Sequence, residues 1–125
     1  MKLTVLLLIV IGVMSCWAGW LDQTTDFSIN TMSATHSRGE SAVVKYGCGA
    51  CHTIPGIRGA DGLVGPPLDK IASRTYIAGV LRNSPENLRQ WIRNPQAVDP
   101  LTAMPNLQIP ESDINDLVAF LQTLQ

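Results

Sequence analysis

The pentapeptide Cys48-Gly49-Ala50-Cys51-His52 constrains this chain more than any other feature. Three cysteines are present, and Cys16 lies in an apolar N-terminal run, so Cys48 and Cys51 are the pair open to a folded domain. A C-x-x-C pair can be half of a zinc site. Zinc needs four donors, and no second Cys/His pair follows; the other histidine is His36. The pair can also be a redox dithiol, but that reading wants a βαβ context, and no such pattern occurs here.

His52 turns the pair into C-x-x-C-H, the attachment signature of c-type haem. The spacing has a physical reason. Two thioethers must reach two vinyl groups on one edge of a porphyrin, and the residue after the second cysteine then lies over one face of the ring. A neutral imidazole there binds iron. Gly49 and Ala50 are small enough to let the backbone lie close to the ring. The expected cofactor is one haem c, covalent through Cys48 and Cys51, with His52 on the iron. Composition agrees. Ten glycines and eight prolines, with 6% aromatic residues, leave a small domain short of regular structure and of core. A net charge of 9 − 10 = −1, with no basic tract, argues against nucleic acid as a partner.

A sixth iron ligand must come from elsewhere. Of four methionines, Met1 and Met14 lie in the N-terminal run and Met32 in a polar stretch. Met104 sits in Pro100-Leu101-Thr102-Ala103-Met104-Pro105, where prolines restrict the backbone at both ends. That suits a thioether held at a fixed distance from iron, so the expected metal ligands are His52 and Met104.

From Arg38 to Gln125 the chain resembles the class I c-type cytochromes. The parts that carry the resemblance stand in order: a short helix, Cys48-Gly49-Ala50-Cys51-His52, Gly65-Pro66-Pro67-Leu68, the Met104 loop and a terminal helix. The resemblance implies an all-α fold of roughly three to five short helices wrapped around one haem, with long Gly/Pro-rich loops. It also implies three further cofactor-binding residues. The Pro66 carbonyl would accept the Nδ1–H of His52, Arg74 would lie near a haem propionate, and Trp91 would pack on the haem edge and donate its N–H there. In many relatives Ser or Thr caps the last helix; Pro110 stands at that place here, and proline suits a first helical turn.

The N-terminus reads as a targeting or anchoring segment over residues 1–21. Lys2 is the one charge before Asp22, and an apolar run follows it. Counted from Leu3 to Leu21 that run has 19 residues, just enough to span a bilayer with Trp17 and Trp20 at the interface. Alternatively, Val13-Met14-Ser15-Cys16 resembles a bacterial lipoprotein site, with Cys16 lipidated. A third option is cleavage after Ala18. All three place the domain outside the cytoplasm, on the periplasmic side of a bacterial inner membrane, tethered or free. Residues 22–37 are polar and without periodicity and read as a tether, with His36 exposed at its end. Residues 38–125 form the expected domain.

Within it the pattern predicts a first helix over Arg38–Tyr46, ended by Gly47. A long loop over 53–67 would draw its apolar contact from the cofactor. A short helix is expected around Thr75–Arg82. Ser84-Pro85-Glu86 opens a helix to Arg93, stopped by Asn94-Pro95. Ile114, Leu117, Val118 and Leu121 make an apolar stripe on a last helix over Glu111–Thr123, and the resemblance implies that it packs across the first.

These readings predict a one-electron carrier of a bacterial respiratory chain, exchanging electrons with membrane respiratory complexes or other redox proteins. The alternative is a fixed haem c subunit of an oxidase, dehydrogenase or redox-sensing complex. A haem enzyme would need an open iron position and distal acid/base residues, and no distal histidine is available.

Overall fold

The computed structural model describes residues 30–125; the N-terminal run with Cys16, and the tether up to residue 29, lie outside the described residues. Thr35–Gln125 form one compact unit. Its first helix, α1, occupies residues 35–45, and residues 30–34 of the preceding unit are helical as well. This corrects the expectation of a non-periodic tether to Ser37 and of a helix beginning at Arg38. Thr and Ser cost a helix only a few tenths of a kcal/mol each relative to better formers. Once Ala42 and Val43 anchor the helix in the core, each further residue adds a bond without a new nucleus. Gly47 ends α1 as expected, in the left-handed conformation at φ 66°.

After α1 come a 3-10 turn at Cys48–Ala50, the 53–67 loop and a second 3-10 turn at Ile71–Ser73. The loop is less dependent on a cofactor than expected. It buries Ile54 and Ala60, and its own Ile54 N–H donates to the Ala60 carbonyl at 3.0 Å. The predicted helix over 75–82 is instead a hairpin of β1 (Tyr76–Ile77) and β2 (Leu81–Arg82), pairing Tyr76 with Arg82 and Ile77 with Leu81. The reason lies in its turn. Ala78 and Gly79 have φ of 52° and 75°, and left-handed residues cannot continue a right-handed helix.

Helix α2 (Pro85–Arg93) begins as predicted: Ser84 Oγ accepts from the Asn87 N–H at 3.2 Å and Pro85 takes the first turn. Asn94 ends it and also starts a four-residue helix, α3 (Pro95–Val98), its Oδ1 accepting from the Ala97 N–H at 3.3 Å. The pattern had marked Asn94-Pro95 only as a stop; proline suits the first turn of a new helix as well as it breaks an old one. Helix α4 (Glu111–Leu121) starts after Pro110, which supplies no side-chain cap. It ends two residues early because Thr123 Oγ1 donates to the Phe120 carbonyl at 2.6 Å.

The stripe Ile114, Leu117, Val118 and Leu121 is buried, joined by Phe120. α4 packs across α1 at Gly39, where a Cβ would overlap Phe120 and the Asp116 main chain. Polar pairs flank the crossing: Arg38 Nε to Asp116 at 2.9 Å, Lys45 Nζ to Asp113 at 2.8 Å, and Tyr46 O–H donating to Asp113 at 2.7 Å. His36 is not a free linker residue. Its ring lies 5.2 Å from that of Phe120, tilted by 54°, and its Nε2 is 3.4 Å from Glu40. On the far side of α4, Arg89 donates to Asn115 and Arg93 pairs with Glu111, tying α2 to it. Among the described residues, no helix is long and apolar enough to cross a membrane.

Candidate functional site

α1, α2, α4, the hairpin and the loops at 64–68 and 99–107 enclose a cavity of about 580 Å³, within the range of cofactor pockets. Its wall is mostly apolar, with Val43, Leu68, Ile71, Leu88, Ile92 and Leu117 among the contributors. Cys48, Cys51, His52, Pro66, Arg74, Trp91 and Met104 all line it. Seven positions spread over 57 residues of chain are thus brought to one space.

The two thiols reach the cavity because the chain turns tightly after Gly47. The Ala50 N–H donates to the Gly47 carbonyl at 3.0 Å, and the N–H groups of Cys51 and His52 donate to the Cys48 carbonyl at 3.2 and 3.0 Å. Gly49 has a different role from the one expected. It faces the 53–67 loop, where a Cβ would overlap Ala60, so its smallness seats the loop and not the cavity wall. Cys48 and Cys51 are not bonded to each other. Burial pushes the Cys48 thiol up from its ordinary pKa. A redox dithiol needs the opposite shift, so the environment disfavours thiolate chemistry at Cys48.

His52 is held by two neighbours. Its Nδ1 lies 2.7 Å from the Pro66 carbonyl oxygen, and with Nδ1–H donating there the lone pair is on Nε2. Gly65 packs flat against the imidazole; a Cβ there would overlap the ring. The Gly65 N–H also donates to the Cys51 carbonyl at 2.8 Å, so the 64–68 segment is tied to the motif it braces.

Arg74 lines the cavity, and its guanidinium is engaged by main chain: it donates to the carbonyls of Pro67 and, at 2.8 Å, Asp69, with the Asp69 carboxylate 3.7 Å away. Asn83, unmarked in the sequence, supports the same turn by donating to the Ile71 and Arg74 carbonyls at 2.7 and 2.8 Å. Trp91 is half-buried on α2 and packs against the core cluster. Met104 is half-buried in the 99–107 loop, its N–H donating to Thr102 Oγ1 at 3.2 Å. Gln96, also unmarked, donates to the Met104 carbonyl at 2.6 Å. Neither amide carries a local signal. Asn83 follows a hairpin whose residues predict a helix, and Gln96 lies on the short helix that opens where Asn94-Pro95 predicts a stop.

The donor set fits an iron porphyrin. Two thiols, one imidazole with its tautomer set by a carbonyl, and one thioether face a single apolar cavity. Among the described residues, Asp99 is the one carboxylate that lines it.

Comparison with known proteins agrees. The family model described as Cytochrome c matches residues 37–125. The chain is 33% identical over 90 residues to cytochrome c oxidase subunit 2 of Alkalihalophilus pseudofirmus, covering 71% of this chain and 25% of that protein. It is 31% identical over 88 residues to cytochrome c oxidase subunit 2 of Bacillus sp. PS3, covering 67% and 25%. The Bacillus subtilis protein of the same name is 25% identical over 111 residues, covering 86% and 31%. The chain therefore spans about a quarter to a third of the length of these relatives.

Proposed function

This chain belongs to the cytochrome c family over residues 37–125, and from that premise we propose that it is a one-electron carrier of a bacterial respiratory chain that holds one haem c through Cys48 and Cys51. The observation that carries the proposal is the convergence of His52, Met104 and both thiols on one apolar cavity. Family membership implies haem binding and electron transfer; the ligand assignment and the carrier role are this reading's own.

When bound, the haem supplies a metal that gains and loses one electron. The chain's residues do the rest. Cys48 and Cys51 would anchor the ring as thioethers. His52 would bind iron through Nε2, its orientation held by Pro66 and Gly65. Met104 would supply a thioether as a second ligand, closing the iron to substrates and favouring the ferrous state relative to harder ligands. Burial by the apolar wall and a braced pair of ligands would keep the geometry alike in both oxidation states, so that little rearrangement would accompany transfer. Trp91 would pack on the ring edge, and Arg74 would present a positive charge to a propionate while holding the Pro67 and Asp69 carbonyls. A partner would dock at the cavity rim near Cys48 and Cys51, through a small transient interface.

One observation favours a second reading. The relatives are oxidase subunits, so the domain could serve as a fixed haem module of an oxidase with the same ligands. Purification from detergent-solubilised membranes separates the two: a carrier elutes alone, and a fixed module elutes with partner subunits. The primary test is spectroscopic. The purified protein should carry one covalent haem by a denatured haemochrome assay, reduce and reoxidise reversibly, and resist carbon monoxide. Colourless protein after normal export, or protein holding zinc, ends the proposal.

Attachment to the periplasmic face of the inner membrane, by a lipidated Cys16 or an uncleaved helix, belongs to the same reading. Cys16→Ser should release the domain from membranes if Cys16 carries lipid, and retention of that variant excludes lipidation there.

A further inference from the structure

The backbone of Met104 is held at both of its polar groups by side chains. Its N–H donates to Thr102 Oγ1 at 3.2 Å, and its carbonyl accepts from Gln96 Nε2 at 2.6 Å. Thr102 belongs to the same loop and moves with it. Gln96 does not. It sits on α3, which Asn94 couples directly to the end of α2, and Pro95 is buried beneath it. The loop's first residue is tied to α3 by the Asp99 N–H, which donates to the Pro95 carbonyl at 2.9 Å, and the Gln96 bond ties α3 to the loop at Met104 itself. Prolines at 100 and 105 limit the loop's conformations but do not bind it to the rest of the domain. The Thr102 N–H donates to the Asp99 carbonyl at 3.1 Å and the Leu101 N–H to Asp99 Oδ1 at 3.0 Å, and both bonds lie within the loop. Leu101 is 93% exposed and Leu107 is exposed at the other end, so apolar burial at the loop's flanks is small.

We propose that Gln96 is a positioning residue for the Met104 thioether: its amide clamps the Met104 carbonyl to α3 and would set how often Met104 leaves the iron. This rests on the reading of Met104 as an iron ligand. A half-buried amide donating to a main-chain carbonyl is worth up to about a factor of ten in an equilibrium, near the top of the range for such bonds. An added ligand competes with Met104 only in the fraction of molecules whose thioether is displaced, so its apparent affinity reports that fraction directly.

The test is a titration of the oxidised holoprotein with imidazole, followed by the thioether-to-iron charge-transfer band. Gln96→Ala and Gln96→Glu both remove the donor, and the second keeps the side chain's size should the first fold poorly. Each should bind imidazole up to about tenfold more tightly than the natural protein. Gln96→Lys restores a donor at similar reach and should return most of the difference. Gln122→Ala, on the tail of α4, serves as the control and should leave the affinity unchanged. Natural affinity in both Gln96→Ala and Gln96→Glu overturns the clamp while leaving Met104 as a ligand. A natural protein that lacks the charge-transfer band overturns the ligand reading itself, and with it the clamp.

Discussion

Gly39→Ala is the substitution whose sign best separates helix propensity from tertiary packing. Gly39 lies inside α1, where alanine is favoured over glycine by about 0.8–1.0 kcal/mol. Read from α1 alone, the change should stabilise the protein. The structure predicts the reverse. A Cβ at Gly39 would overlap the Phe120 Cβ and the main-chain oxygen of Asp116. The oxygen belongs to the α4 backbone and cannot rotate aside, so the two helices must move apart. Overpacking of this kind costs roughly 1–3 kcal/mol, and a backbone obstacle puts the cost near the top of that range. Moving α4 away also strains the Tyr46–Asp113 and Arg38–Asp116 bonds that flank the crossing. The net effect is a loss of about 2 kcal/mol, or a fall in Tm of about 8–16 °C for a domain of this size. The assay is thermal and urea unfolding of the holoprotein, with Ser41→Ala on the exposed face of the same helix as a control that should shift little. A Gly39→Ala variant as stable as the natural protein, or more so, would refute the close crossing.

Gly65→Ala should push the His52 ring off the Pro66 carbonyl, at a cost of about 1–3 kcal/mol; an unchanged midpoint potential and stability would contradict that packing. Met104→Ala should lower the potential by part of the ~0.8 V over which axial ligands tune haem, and open the iron to carbon monoxide. An unaltered spectrum in that variant would remove Met104 from the ligand set. Acid should weaken the α1–α4 crossing through Asp113. Bonds from Lys45 and then Tyr46 lower its pKa from 3.8 to about 2. A depressed folded-state pKa contributes stability that is whole above about pH 4 and is lost as pH falls towards 2. Asp113→Asn should flatten that part of a stability-against-pH curve, and an identical acid limb in the variant would assign it to other groups.

The candidate groups that line the central cavity stand out in one dimension. Cys48, Cys51 and His52 are neighbours whose spacing is a covalent fact, and Met104 announces itself through flanking prolines. Ser84-Pro85-Glu86 and the stripe on α4 are likewise local signals, and the elements they predict begin where expected, α4 ending two residues short. The failures share a cause. Thr75–Arg82 carried helix-compatible residues, but left-handed conformations at Ala78 and Gly79 made it a hairpin. Asn94-Pro95 read as an end because nothing nearby shows that Asn94 caps a second helix. Residues 30–37 lacked periodicity, and helix there draws on an anchor further along the chain.

What the amino-acid order determined by itself was therefore the set of reactive groups and the elements with strong end signals, because covalent spacing and capping act over a few residues. What only the folded chain decided was which distant atoms hold those groups still. The Gln96 amide on Met104 and the contact of Gly39 with Phe120 and Asp116 carry no signal in the sequence, and the Pro66 carbonyl on His52 was implied by family resemblance alone. Their energies depend on distances that exist only after the backbone has closed around the cavity.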